Sequence, residues 1–209
     1  MELNYKDEES LNYYARINEI IDRNRGFLVT DEVTKADIPR VYISEMVKRG
    51  EIVKVERGIY LKKGIEDDEL YRGQLKYKGI VYSHETALIL NGVIDKKIDS
   101  TIMVTVKTGI NPTRIKERGL KVFTIKEQFL DLGLITLKTP QGNEVRTYNI
   151  ERSICDMVRS RNQVTDRLFA RALKTYFKSD FYDDDKLMEM AKPLHVAKII
   201  ESYKKFVLL

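Results

Sequence analysis

Between residues 39 and 62 the apolar pattern switches from a helical period to a strand period within a few positions, and glycine marks the switch. A helix is expected from Pro39 to Arg49, since proline is tolerated in a first turn, and Gly50 stops it. Beyond it, Ile52, Lys54 and Glu56 alternate with Val53 and Val55, and Ile59-Tyr60-Leu61 follow the Arg57-Gly58 turn. Period-two segments joined through glycine read as a β-hairpin. Upstream, Ser10 is the expected N-cap of a first helix in which Tyr14, Ile17, Ile20 and Ile21 have helical spacing and which Gly26 ends. Phe27-Leu28-Val29 is a short apolar link, and Thr30 caps a brief helix over Asp31 to Lys35, with Asp31 and Glu32 in its favourable first turn. Three helices, the last two joined by a short turn, and then a hairpin describe a winged helix-turn-helix.

The third helix has two faces. Pro39, Ile43, Met46 and Val47 form its expected apolar stripe, with Tyr42 on the edge. Arg40, Val41, Ser44 and Lys48 point the other way, flanked by Glu45 and Arg49. A face of short and basic side chains suits a major groove, and Lys54, Arg57, Lys62 and Lys63 decorate the wing. Charge supports this locally. The chain of 209 residues carries a net charge of only +5, but residues 35–63 hold eight basic residues against four acidic ones. In that block Arg40 is the candidate guanine reader, Ser44 a base or phosphate contact, and Lys48, Arg49, Lys54 and Arg57 the phosphate positioners.

Residues 64–80 form a polar connector, with Leu70, Tyr71 and Leu75 at helical spacing, and a second domain is expected over 79–209 after a first over 1–78. Ile80-Val81-Tyr82 is a brief strand and Ser83 the cap of a short helix. The segments 101–107 and 121–126 are strands rich in β-branched residues, and 135–138 and 144–148 flank a Pro140-Gln141-Gly142-Asn143 turn. Four helices follow, at 150–159, 164–177, 184–191 and 196–207. The fold class is therefore α+β: an N-terminal winged helix-turn-helix, then a larger mixed domain of short strands followed by a helical bundle.

These residues resemble a known family. Gly26-Phe27-Leu28-Val29-Thr30, Ile38-Pro39-Arg40, Val47-Lys48-Arg49-Gly50 and Glu56-Arg57-Gly58-Ile59-Tyr60 occur in the order typical of its winged helix. Ser83-His84-Glu85-Thr86-Ala87 and Ile150-Glu151-Arg152-Ser153-Ile154-Cys155-Asp156 extend the match. The chain resembles an AbiEi-type antitoxin of the type IV (AbiE) abortive-infection toxin–antitoxin systems. The resemblance implies a bacterial protein active against phage spread. Its winged helix binds inverted repeats in its own operon promoter and represses transcription. Its C-terminal antitoxin domain opposes a nucleotidyltransferase-type toxin without a stable complex.

A second basic region runs from Arg152 to Lys178, with seven basic and two acidic residues. Within it Arg167, Arg171, Lys174 and Lys178 follow helical spacing and form one stripe, whose expected role is to touch DNA beyond the winged helix or to bind RNA or nucleotide. Phe169, Leu173 and Phe177 face the core, with Leu168, Ala172, Thr175 and Tyr176 beside the stripe. Ser83-His84-Glu85 is too local for a catalytic triad, whose members converge from separate segments, so His84 reads as structural. Cys155 reads as a buried, inert thiol. No catalytic residue, cofactor or metal site is expected, nor a membrane span or signal peptide, so a cytoplasmic non-enzyme is the reading. No heptad seam specifies an oligomeric state. Two alternatives stand beside it: a regulator whose second domain senses a ligand or oligomerises, and a metal-dependent nuclease using Glu85, Glu144 or Asp183-Asp184-Asp185.

Overall fold

The computed structural model describes residues 5–95 and 101–208 of the chain. It divides into two compact units, Met1–Lys76 and Tyr77–Leu209. The class is α+β, a winged helix-turn-helix followed by a mixed domain.

The first unit contains α1 (Tyr5–Arg23), β1 (Phe27–Val29), α2 (Thr30–Lys35), α3 (Val41–Lys48), β2 (Ile52–Glu56), β3 (Ile59–Lys62) and α4 (Glu69–Lys76). Helix α1 already runs at Tyr5, so Ser10 lies inside it instead of capping it; the Ser10 hydroxyl is 3.2 Å from that of Tyr42. Ile17, Ile20 and Ile21 recur at helical spacing and are buried. The helix closes with Gly26 at φ 97°, its N–H donating to the Ile21 carbonyl at 2.8 Å. A Cβ at Gly26 would also lie 3.0 Å from the Ile65 side chain, so conformation and space both call for glycine there.

Phe27-Leu28-Val29 is a strand, not merely a link. β1 pairs antiparallel with β3, which pairs antiparallel with β2, giving the order β1-β3-β2. Period-two alternation then sorts the side chains. Leu28 joins Ile17, Ile21, Val33, Ile43, Met46 and Ile52 in the core beneath the helices. Phe27 faces the other way with Ile59 and Leu61, and there Tyr71 and Leu75 of α4 cover them. The polar connector thus contains a fourth helix that completes the winged helix. Its Arg72 reaches Glu56 and Asp67 at 3.5 and 3.2 Å, and Lys76 donates to the Arg57 carbonyl in the wing turn.

The second unit contains β4 (Val81–Tyr82), α5 (His84–Leu90), β5 (Met103–Lys107), α6 (Thr113–Glu117), β6 (Lys121–Ile125), β7 (Leu134–Lys138), β8 (Glu144–Tyr148), α7 (Ile150–Arg159), α8 (Asp166–Phe177), α9 (Asp184–Ala191) and α10 (Ala197–Leu208). Its five-stranded sheet has the order β6-β5-β4-β8-β7. β5 and β6 are parallel through the crossover helix α6, which periodicity alone did not indicate. The β7–β8 hairpin closes where Thr139 N–H donates to the Asn143 carbonyl at 2.8 Å. Side-chain oxygens of Asn149, Thr165 and Asp183 cap α7, α8 and α9. The four C-terminal helices and the sheet share one core that includes Leu88, Phe123, Ile154, Cys155, Leu173, Tyr176 and Leu187. Among the described residues, no helix is long and apolar enough to cross a membrane.

Candidate nucleic-acid interface

Helix α3 is short, and its core arc is correspondingly narrow. Ile43 and Met46 fill it. Val47, expected in the apolar stripe, is 38 % exposed, because one further step of about 100° carries it past the edge of the buried arc. The outward arc therefore runs from Val47 through Arg40, Ser44 and Lys48 to Val41, with Ser44 near its middle. Every one of these side chains is exposed.

Arg40 does not hang loose. Its Nε and Nη2 donate to the Thr34 hydroxyl at 3.2 and 3.0 Å. Thr34 in turn donates to the Thr30 carbonyl at 3.0 Å, so α2 orients the arginine immediately ahead of α3. Neither Thr34 nor its role was apparent from spacing, because a helix-to-helix side-chain bond has no periodic signature. Arg49 belongs to a different setting. It pairs with Glu51 at 2.7 Å, and its guanidinium lies 4.3 Å from the Tyr14 ring centre, while the Tyr14 hydroxyl donates to Glu45. Arg49 is thus bound up in the junction of α1, α3 and β2, apart from the arc of Arg40, Ser44 and Lys48.

In the wing, Lys54 and Arg57 are exposed. Lys54 lies opposite Tyr60, and the ladder shifts register between Lys54 and Glu56, which places a bulge just ahead of the tip. The Thr30 N–H donates to the Gly58 carbonyl at 2.9 Å, so the first residue of α2 and Lys76 of α4 hold the wing turn between them. Of the outer wing cations, Lys62 lies 3.7 Å from Asp22 and Lys63 is exposed.

In the second unit, Arg167, Arg171, Lys174 and Lys178 are all exposed on and just after α8. Ala172 and Tyr176 are buried with Phe169, Leu173 and Phe177 instead of lying beside the stripe, so the basic face is narrower and the core face wider than the spacing suggested. Arg171 donates to the Asp95 carbonyl at 3.2 Å.

The two signature segments of the second unit are buried. Residues 83–88 and 151–158 are buried along their whole lengths. Arg152 is completely buried: Nε donates to Asp156 at 3.0 Å, Nη1 to the carbonyls of Phe129 and Leu132 at 2.8 and 2.7 Å, and its plane lies 4.1 Å from the Tyr148 ring centre. Asp156 also accepts from Arg159 at 3.1 Å. A Cβ at Gly133 would lie 2.7 Å from that of Arg152, so glycine is required where the loop closes over the arginine. His84 stacks on Phe123 at 3.6 Å, with Nδ1 2.9 Å from the Ser83 hydroxyl and Nε2 3.1 Å from that of Ser160. Burial lowers its pKa to about 4, which keeps the ring neutral. Cys155 is a free, buried thiol that burial pushes up to about 12. These groups hold the core together.

The carboxylates considered for nuclease chemistry are spread over several elements. Glu85 is buried on α5 and Glu144 is exposed on β8. Asp183 caps α9, Asp184 accepts from Tyr182 and Lys204, each at 2.6 Å, and Asp185 is exposed. Among the described residues, no three His, Cys, Asp or Glu side chains form a group able to hold a metal ion.

No curated protein matches the chain significantly. The fold resembles the crystal structure of the RV2827C protein from Mycobacterium tuberculosis, with a TM-score of 0.55 and 14 % identity, over 87 % of this chain and 71 % of that one. At that identity the likeness is one of fold. The family described as "Transcriptional regulator, AbiEi antitoxin" matches residues 15–61, the stretch from α1 through the winged hairpin, so this part of the first unit is similar to the regulator domain of that family.

Proposed function

We propose that this protein is a DNA-binding antitoxin that represses its own operon by placing α3 in the major groove of promoter inverted repeats. The observation that carries this reading is the exposed arc of Arg40, Ser44 and Lys48 on α3, inside the segment that matches the family. Arg40, held by Thr34, supplies a fork suited to guanine O6 and N7. Lys48, Lys54 and Arg57 meet phosphates, and Arg49, tied to Glu51 and Tyr14, makes the smallest contribution. Three phosphate contacts in the winged helix predict that this unit contributes about −3 to the slope of log K against log salt. A gel shift with the DNA upstream of the gene tests this against the Arg40→Ala, Lys48→Ala double variant. Unchanged affinity in the variant rejects the surface.

In this reading the protein is not an enzyme and uses no cofactor. It acts in the cytoplasm as a type IV antitoxin in abortive infection by phage, opposing a nucleotidyltransferase-type toxin without a stable complex. The Arg167, Arg171, Lys174 and Lys178 stripe is the surface that carries this opposition, by binding a polyanion. Co-expression with the neighbouring nucleotidyltransferase gene tests it. Arg167→Glu with Arg171→Glu should abolish growth rescue while the preference for upstream over unrelated DNA persists. Survival of both reduces the stripe to a solvated face.

A second reading, ligand sensing by the second unit, has one feature in its favour. A cavity of about 230 Å³ is lined by Lys126, Arg159 and His195 beside Phe129 and Leu194. If sensing is the function, co-expression gives no rescue and a small anion shifts the unit's melting temperature.

A further inference from the structure

Val41 is the first residue of α3 and is 54 % exposed, more so than Val47 at the far edge of the same arc. Valine on a solvated helix face is an unfavourable choice. It loses side-chain rotamer freedom in the helix and leaves methyl groups in water. Its neighbours on the arc, Arg40, Ser44 and Lys48, are polar, and among the described residues no apolar cluster includes it.

Resting on the DNA-binding reading above, we propose that Val41 recognises thymine through its 5-methyl group. The N-terminal residues of a recognition helix are those that meet base edges. In the major groove an A·T pair is marked by that methyl group, whereas the minor groove shows no such feature. The two γ-methyls of Val41 pack against it and shed water from both surfaces. Arg40, one residue earlier and anchored on Thr34, holds a cationic fork at the same end of the helix. The pair reads adjacent positions by different chemistry, guanine by hydrogen bonds and thymine by apolar contact.

Uracil pairs with adenine as thymine does and lacks only the methyl group. The DNA upstream of the gene is amplified with dTTP or with dUTP, and both products are titrated with the full-length protein at fixed salt, with unrelated duplex as competitor. The wild type should bind the thymine form about fourfold more tightly for each thymine methyl group that Val41 covers. Val41→Ala should bring the two affinities together. Val53→Ala, which truncates a comparably exposed valine on β2, should leave the preference intact. Equal wild-type binding to both DNAs, above unrelated duplex, overturns thymine recognition while operator binding stands. A thymine preference that persists in Val41→Ala overturns the assignment to Val41. Binding of neither DNA above unrelated duplex overturns the DNA-binding reading and this inference with it.

Discussion

Arg40 meets solvent with its guanidinium already oriented by Thr34, and that tether has a measurable consequence. A hydrogen bond of this kind contributes about 0.5–1 kcal/mol. Thr34→Val keeps the shape of the side chain and removes the acceptor, so it should weaken operator binding roughly two- to fivefold at unchanged thermal stability. Titration of the upstream DNA with both proteins, alongside their melting curves, measures it. His84 is the opposite case, a side chain whose consequence is stability. Buried against Phe123, it stays neutral down to about pH 4, whereas an unfolded histidine protonates near 6.5. Between those values the unfolded state binds the extra proton. Stability is therefore fully present above pH 6.5 and falls as the pH drops toward 4, by up to roughly 3 kcal/mol. Urea denaturation at pH 7.5 and pH 5 should show the loss in the wild type. His84→Gln should be less stable at pH 7.5 and should show a smaller difference between the two pH values.

Among the elements, α4 is the least expected and the easiest to test. It covers Phe27, Ile59 and Leu61, the face of the small sheet turned away from the helical core. Exposing those three side chains costs roughly 5 kcal/mol, which is comparable with the whole stability of a domain this size. A fragment ending at residue 66 should lack a cooperative melt and bind hydrophobic dyes, whereas one ending at residue 76 should unfold in a single transition. Equal melts for the two fragments would falsify the role given to α4. The sequence indicated helical spacing in 70–75 but no partner for it, since which sheet face lies bare becomes known only once β1 is placed. The same limit hid β1. Three apolar residues carry no period, and Phe27 and Leu28 became opposite faces of one strand only through their pairing with β3. By contrast, α3, the hairpin and the four C-terminal helices were legible, because each spans enough residues for its period to separate two faces. At the candidate interface Arg40, Ser44 and Lys48 were legible for that reason. The exposure of Val47, the grip of Thr34 and the diversion of Arg49 to Glu51 depend on contacts between elements, which no single segment encodes.

At the scale of the molecule, charge and recognition are divided between the two units. Residues 1–76 hold 14 basic and 16 acidic residues, and residues 77–209 hold 23 and 16. The unit that contains α3 is thus net acidic, and under the proposed function its attraction for DNA depends on the local basic block of α3 and the wing. The other unit carries the cationic excess, part of it in the exposed α8 stripe. Uniform positive charge raises affinity for any polyanion without distinguishing sequences, whereas base-edge contacts discriminate and add little long-range attraction. Separating the units should separate these properties. The fragment 1–76, with its own core, should keep the preference for upstream over unrelated DNA while losing overall affinity. The fragment 77–209 should bind both DNAs alike, with a salt slope set by its own cations. Anisotropy titrations of the two fragments and the full chain at several salt concentrations measure all three slopes. If 77–209 distinguishes the two sequences and 1–76 does not, recognition belongs to the second unit, and the assignment of Arg40, Val41 and Ser44 to base reading fails.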